Sequence, residues 1–207
     1  MKYKNRTEFI LKSIANNPNQ KTIIDIGFIG EYNEPFVHNA ILKNFPDDDV
    51  VGIDINEKID DYCNQKHRKY FKQSIFDIDQ NETFKEQFDV AVLCEVFEHL
   101  PHPFLALHKI YACLKPGGVM LITYPNPLKL STFGHYLLQT DLTDKPFLKR
   151  YLGADDHKIF PMPVSMVAYL NFLGFTIREV SFLKGILCNL PILNKFSDYI
   201  GICAEKN

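Results

Sequence analysis

FDVAVLCEVFEHLPHP (residues 88–103), followed by LKPGGVMLITYPNP (residues 114–127), decides the fold of this chain. Val90, Ala91, Val92 and Leu93 form an unbroken apolar run, the pattern of a strand covered by helices on both faces. Between the two segments Phe104, Leu107, Tyr111 and Leu114 recur at helical spacing, and Lys115-Pro116-Gly117-Gly118 stops that helix before a further strand over 119–124. The product is two parallel strands joined by one helix. Glu95, Glu98 and His99 then fall at the carboxyl end of the first strand, where open α/β sheets place their ligand crevice.

The same alternation continues outward. A helix is expected over 8–16, and TIIDIG (22–27) reads as a strand broken by Gly27. Glu34 and Pro35 suit the first turn of a helix whose buried stripe is Val37, Ala40, Ile41 and Asn44 or Phe45. VVGIDI (50–55) and residues 70–75 read as the second and third strands. Met166, Tyr169, Leu170 and Leu173 mark a later helix closed by Gly174, before strands over 175–182 and 199–205. The long connection over 126–160 has no clean period and carries Phe133, His135, Tyr136 and Tyr151, so a lid over the substrate is expected there.

With 207 residues and 46% hydrophobic content, one core suffices, and a single domain over 1–207 is expected. A net charge of -2 offers no basic field for a nucleic-acid backbone, so nucleic acid is disfavoured despite local pairs such as Lys149-Arg150. Five cysteines without a CxxC pair read as reduced thiols of a cytoplasmic protein. The opening residues lack the apolar core and cleavage site of a secretory signal. No run of about 18 apolar residues is present, so a spanning helix is not expected. The apolar, lysine-dotted stretch 181–196 is compatible with a membrane or subunit contact, but Pro191 interrupts it and covering the sheet is its ordinary use. Oligomeric state is not legible.

In element order and motif spacing the chain resembles the class I S-adenosylmethionine-dependent methyltransferases over nearly its whole length. The likeness is strongest at VLCEVFEHL and LKPGG, which match the family's EVxEHL and LKPGG segments. It implies an α/β, Rossmann-like, doubly wound sheet of seven strands, mostly parallel with an antiparallel last strand. It also implies S-adenosyl-L-methionine as cofactor and methyl transfer to an oxygen or nitrogen of a small-molecule or sugar-like acceptor. The glycine loop departs from the family: DxGxGxG becomes Asp25-Ile26-Gly27-Phe28-Ile29-Gly30-Glu31, with Gly30 displaced by one. A dinucleotide needs the second glycine for close approach of its pyrophosphate, which Ile29 would crowd and Glu31 repel. S-adenosylmethionine has no phosphate and carries two cationic groups, so the departure speaks against a nicotinamide or flavin dinucleotide more than against this cofactor. A noncatalytic relative that kept the fold for binding or assembly is the alternative.

The expected cofactor site gathers Asp25, Gly27 and Gly30 from the first loop and Asp54, whose carboxylate can accept both ribose hydroxyls. Ile55 and Asn56 would flank the adenine, to which the resemblance adds Ser74 and Ile75, with Asp77 beside them. The family commonly has an acid where Ser74 stands. Cys94, Glu95 and Val96 would hold the methionyl part. If the acceptor must lose a proton, His157 in Asp155-Asp156-His157 is the candidate base, the other reading being a polar turn that orders the lid. Tyr124 and Asn126 are further pocket candidates, while Glu98 is read as a helix cap and His99 as packing under the lid, a catalytic role being the other reading of each. No metal is expected, since His99, His102 and His108 match no closed tetrahedral spacing.

Overall fold

The computed structural model describes residues 3–16, 21–29, 35–63, 69–138, 141, 146, 157–184 and 193–207. Among these, seven strands form one sheet: β1 (Thr22–Ile26), β2 (Asp49–Asp54), β3 (Lys69–Lys72), β4 (Phe88–Cys94), β5 (Leu114–Pro125), β6 (Phe175–Leu183) and β7 (Tyr199–Lys206). Their order is β3-β2-β1-β4-β5-β7-β6. β1 lies parallel between β2 and β4, and β7 runs antiparallel to both β5 and β6, as expected.

Alternation of side chains along each strand divides the apolar residues between two faces. On one face Ile24, Ala91, Leu93 and Ile122 pack with Ala106, Leu107 and Ile110 of α4 (Pro103–Cys113), and with Met166 and Leu170 of the helix over Pro163–Phe172. On the other, Ile23, Val90, Val92 and Leu121 meet Phe9, Ile10 and Ile14 of α1 (Arg6–Ala15). Each such side chain removed from water contributes roughly 1.5–3 kcal/mol. Asn5 starts α1 by accepting the Glu8 N–H at 2.9 Å. α2 (Phe36–Asn44) buries His38 and Ile41, so its stripe is centred one residue from the expected one and Asn44 is exposed.

Two further boundaries differ from the sequence reading. β3 ends at Lys72 because the Ser74 hydroxyl accepts the Phe76 N–H at 3.1 Å and starts a 3-10 turn over Ile75–Gln80. LKPGG belongs to β5 itself, where Leu114 pairs with Phe88 and the register shifts before Val90. Gly117 has φ +76°, and a Cβ on Gly118 would lie 2.9 Å from the carbonyl oxygens of Lys115 and Phe88. Those two glycines make the irregular strand start.

α3 (Ile59–Cys63) follows β2, and α5 (Leu130–Leu138) opens the long connection after β5. Most of 139–156, including Asp155 and Asp156, lies outside the described residues, as do 185–192 of the apolar stretch. No described helix is long and apolar enough to cross a membrane.

Candidate functional site

β1 has β2 on one side and β4 on the other, so the loops leaving β1 and β4 diverge at the carboxyl edge of the sheet. A crevice opens at such a switch point. Here it is a cavity of about 730 Å³, within the range typical of small-molecule sites. Gly27, Asp54, Ile55, Ser74, Ile75, Glu95 and Val96, seven of the expected cofactor residues, line it together with Asn56 and His99.

Gly27 forms the floor. Its φ is +68°, and a Cβ there would stand 2.6 Å from Cγ2 of Val96, so only glycine fits against the β4 loop. Its N–H donates to the Ile53 carbonyl at 2.8 Å, tying the turn to β2. Asp54 stands across the cavity, 9% exposed. One carboxylate oxygen accepts the Ile29 N–H at 3.0 Å and the other the Asn56 N–H at 2.9 Å. A carboxylate has about four acceptor positions, so one on each oxygen is left for a ligand. Ile29 is fully buried with Phe28, Ile59 and Tyr70, and does not crowd the cavity. Ile55 stands just beyond the end of β2 and is 72% exposed, which leaves a flat apolar surface at the mouth.

Asp25 lies beneath this turn and, among the described residues, does not line the cavity. It is 2% exposed, with its carboxylate 3.0 Å from Nδ1 of His38, whose Nε2 is 3.1 Å from the Tyr70 hydroxyl. The neutral tautomer that satisfies both contacts carries its proton on Nδ1. His38 also packs at 4.5 Å from the Phe28 ring, so Asp25 holds the loop from below. Gly30 lies outside the described residues.

On the far wall Glu95 adopts φ +57°, a conformation strained for a side-chain-bearing residue and one that aims it into the crevice. Its carboxylate accepts the Thr123 hydroxyl at 3.0 Å and pairs with Arg6 of α1 at 2.7 Å. Desolvation raises its pKa, and the Arg6 guanidinium, itself 4.4 Å from the Tyr199 ring centre, opposes that rise. Cys94 does not line the cavity, and its Sγ lies 3.3 Å from the Thr123 hydroxyl oxygen. Ser74 lines the cavity while capping the turn that follows it, so both of its expected uses meet in one position.

Behind the β4 loop, Glu98 is 1% exposed within a short 3-10 turn over Phe97–His99. It is a buried acid and not the expected helix cap. The His99 and His157 rings meet edge to face at 4.6 Å. The Lys158 N–H donates to the Glu98 carbonyl at 2.6 Å, fastening the segment after the long connection onto the β4 loop. Tyr124 and Asn126 serve elsewhere. Tyr124 is fully buried against Phe97, which pushes its hydroxyl pKa well up, and the Asn126 amide donates to the Lys195 and Ser197 carbonyls at 2.8 Å each. Arg6 and His38 were not singled out in the sequence, because neither belongs to a local pattern and each acquires its partner only when α1 and α2 pack on the sheet.

Residues 2–179 match the family described as methyltransferase domain. The ubiquinone biosynthesis O-methyltransferase of Hydrogenovibrio crunogenus is 26% identical over 197 residues, covering 92% of this chain and 74% of that protein. The protein of the same name from Actinobacillus pleuropneumoniae is 26% identical over 191 residues, covering 88% of this chain and 75% of its own length. In three dimensions a SAM-dependent methyltransferase from Archaeoglobus fulgidus superposes with a TM-score of 0.64 at 19% identity, covering 97% of this chain and 94% of that one, a likeness of fold.

Proposed function

The chain belongs to the methyltransferase-domain family, as a class I S-adenosylmethionine-dependent enzyme, and from that premise we propose that it methylates an oxygen of a small-molecule acceptor. The observation that supports the site is the Asp54 carboxylate, pinned by two backbone N–H groups with acceptor positions left over. In this reading those positions take the ribose hydroxyls, Ile55 and Ile75 sandwich the adenine, and the Gly27 turn passes under the ribose against Val96. Glu95 and Arg6, already an ion pair, match the ammonium and carboxylate of the methionyl end. The curated relatives' name, O-methyltransferase, favours oxygen over nitrogen.

The chemistry asks little of the protein beyond alignment and exclusion of water. A lone pair on the acceptor oxygen forms the new O–CH₃ bond as the S–CH₃ bond breaks. The bonding pair stays on sulfur, which loses its positive charge, and the hydroxyl proton leaves to a base or to water. His157, whose ring meets that of the cavity residue His99, is the residue we assign to that proton. Residues 126–160, opening with α5, would close over the acceptor. Incubation with S-adenosylmethionine carrying a ¹³C methyl group, against paired panels of hydroxylated and amine-bearing small molecules, tests the oxygen assignment. Methoxy carbon signals are expected in the products; N-methyl signals in their place contradict it.

A further inference from the structure

We propose that His38 is a positioning residue for the cofactor and that, with Asp25 and Tyr70, it sets the Ile29 N–H against Asp54. The inference rests on the reading above in which Asp54 holds the ribose. Asp25, Gly52 and Tyr70 stand side by side in one row across β1, β2 and β3. Side chains in such a row share a face of the sheet. Gly52 leaves a slot in the middle, since a Cβ there would lie 2.7 Å from Cδ1 of Tyr70 and 2.8 Å from Cε1 of Phe28. Phe28 enters that slot, stacked on the Tyr70 ring at 5.2 Å and tilted 37° to the His38 ring at 4.5 Å.

The loop after β1 has therefore exchanged a small residue for an anchored one. Phe28 is 7% exposed and Ile29 fully buried, and among the described residues neither lines the cavity. A phenyl ring hanging over the crevice would close it, whereas one drawn down against β2 leaves it open. The descent of Phe28 also fixes the next residue, whose N–H reaches Asp54 at 3.0 Å. That bond fills one acceptor position of the carboxylate and so orients the others.

His38 holds this arrangement in one conformation. Its imidazole spans the row, with Nδ1 3.0 Å from the Asp25 carboxylate and Nε2 3.1 Å from the Tyr70 hydroxyl. The imidazole is 1% exposed and Asp25 2%, so a lost contact strands a buried polar atom instead of handing it to solvent. His38 also lies in the first turn of α2, so the same contacts tie down both ends of the connection from β1 to that helix. Asp25 and Tyr70 act through His38 and Phe28, and these act on the cofactor through Ile29 and Asp54.

The test compares S-adenosylhomocysteine with its 2′,3′-dideoxy analogue, which lacks both ribose hydroxyls, titrated calorimetrically into the parent, His38→Gln and Tyr70→Phe. Tyr70→Phe keeps the stacked ring and removes only the hydroxyl, so the test stays decisive should His38→Gln not fold. Each folded variant should lose about 3- to 10-fold in affinity for S-adenosylhomocysteine, and less than about 2-fold for the dideoxy ligand. In an Asp54→Asn background Tyr70→Phe should cost nothing further. Equal losses for both ligands, which a merely structural role would give, no loss for either, or full additivity with Asp54→Asn overturns the proposal. Hydrogen exchange of the Ile29 amide in ligand-free protein is the second readout. It should quicken at least ~3-fold in Tyr70→Phe, and an unchanged rate overturns the proposal. A parent that binds no S-adenosylhomocysteine contradicts the cofactor reading, and the amide exchange then decides whether His38 positions Ile29.

Discussion

Gly27 concentrates two constraints in one residue: a left-handed backbone at φ +68° and a space that a methyl group would share with Val96. Gly27→Ala is therefore expected to cost about 1–2 kcal/mol in stability, read from thermal denaturation, and to weaken cofactor binding as the floor lifts. Cys94 makes a different prediction. Desolvation, with the Glu95 carboxylate beside it, pushes its thiol pKa up to about 12, and burial does the same for Cys113. Alkylation of native protein with iodoacetamide at about pH 8, followed by peptide mapping, should leave both unlabelled, because the thiolate is the reactive form. Labelling of Cys94 at the rate of an unfolded control contradicts its placement. The place of Gly27 and Asp54 at the crevice is legible in the sequence because it is decided by the few residues around them. Asp25 was placed on the ligand side because its partner, His38, lies on the next helix and no local spacing marks it.

At the scale of the element, β4 carries the cavity at one end and a polar staple at the other. Asp89, near its start, accepts the Thr22 N–H at 2.8 Å and the Lys115 ammonium at 2.9 Å, binding β1, β4 and the start of β5. Burial alone would raise the Asp89 pKa, but the Thr22 and Lys115 hydrogen bonds outweigh it and the net shift is downward. A depressed folded-state pKa stabilises the protein above the unfolded value, about 3.9 for an aspartate, and that contribution is lost as pH falls through the folded value. Asp89→Asn should thus unfold more easily than the parent at about pH 7, by about 1 kcal/mol in urea titrations, with the gap closing as the pH drops below about 4. A gap that persists in acid contradicts the carboxylate's part. The strands were legible because unbroken apolar runs and a parallel pairing rule leave few alternatives. The end of β3 and the irregular start of β5 were not, since a serine cap and a cross-strand approach to Gly118 decide them.

Across the whole molecule, two apolar faces hold the sheet rigid while its carboxyl edge collects the polar groups. The order β3-β2-β1-β4-β5 opens the crevice, and α1 sets Arg6 against Glu95, so a helix remote from the motif loops holds one of the residues that line it. The acceptor itself is not legible, because the long connection after β5 has an irregular sequence that encodes no period from which a surface can be read. The central claim is that Asp54 anchors an adenosyl ribose in this cavity. Calorimetric titration of S-adenosylhomocysteine into the parent protein and into Asp54→Asn, matched for fold by circular dichroism, addresses it most directly. One molecule bound per chain, with affinity falling about 10- to 100-fold in the variant, is the expected result; no binding to the parent, or equal affinity in both proteins, contradicts it.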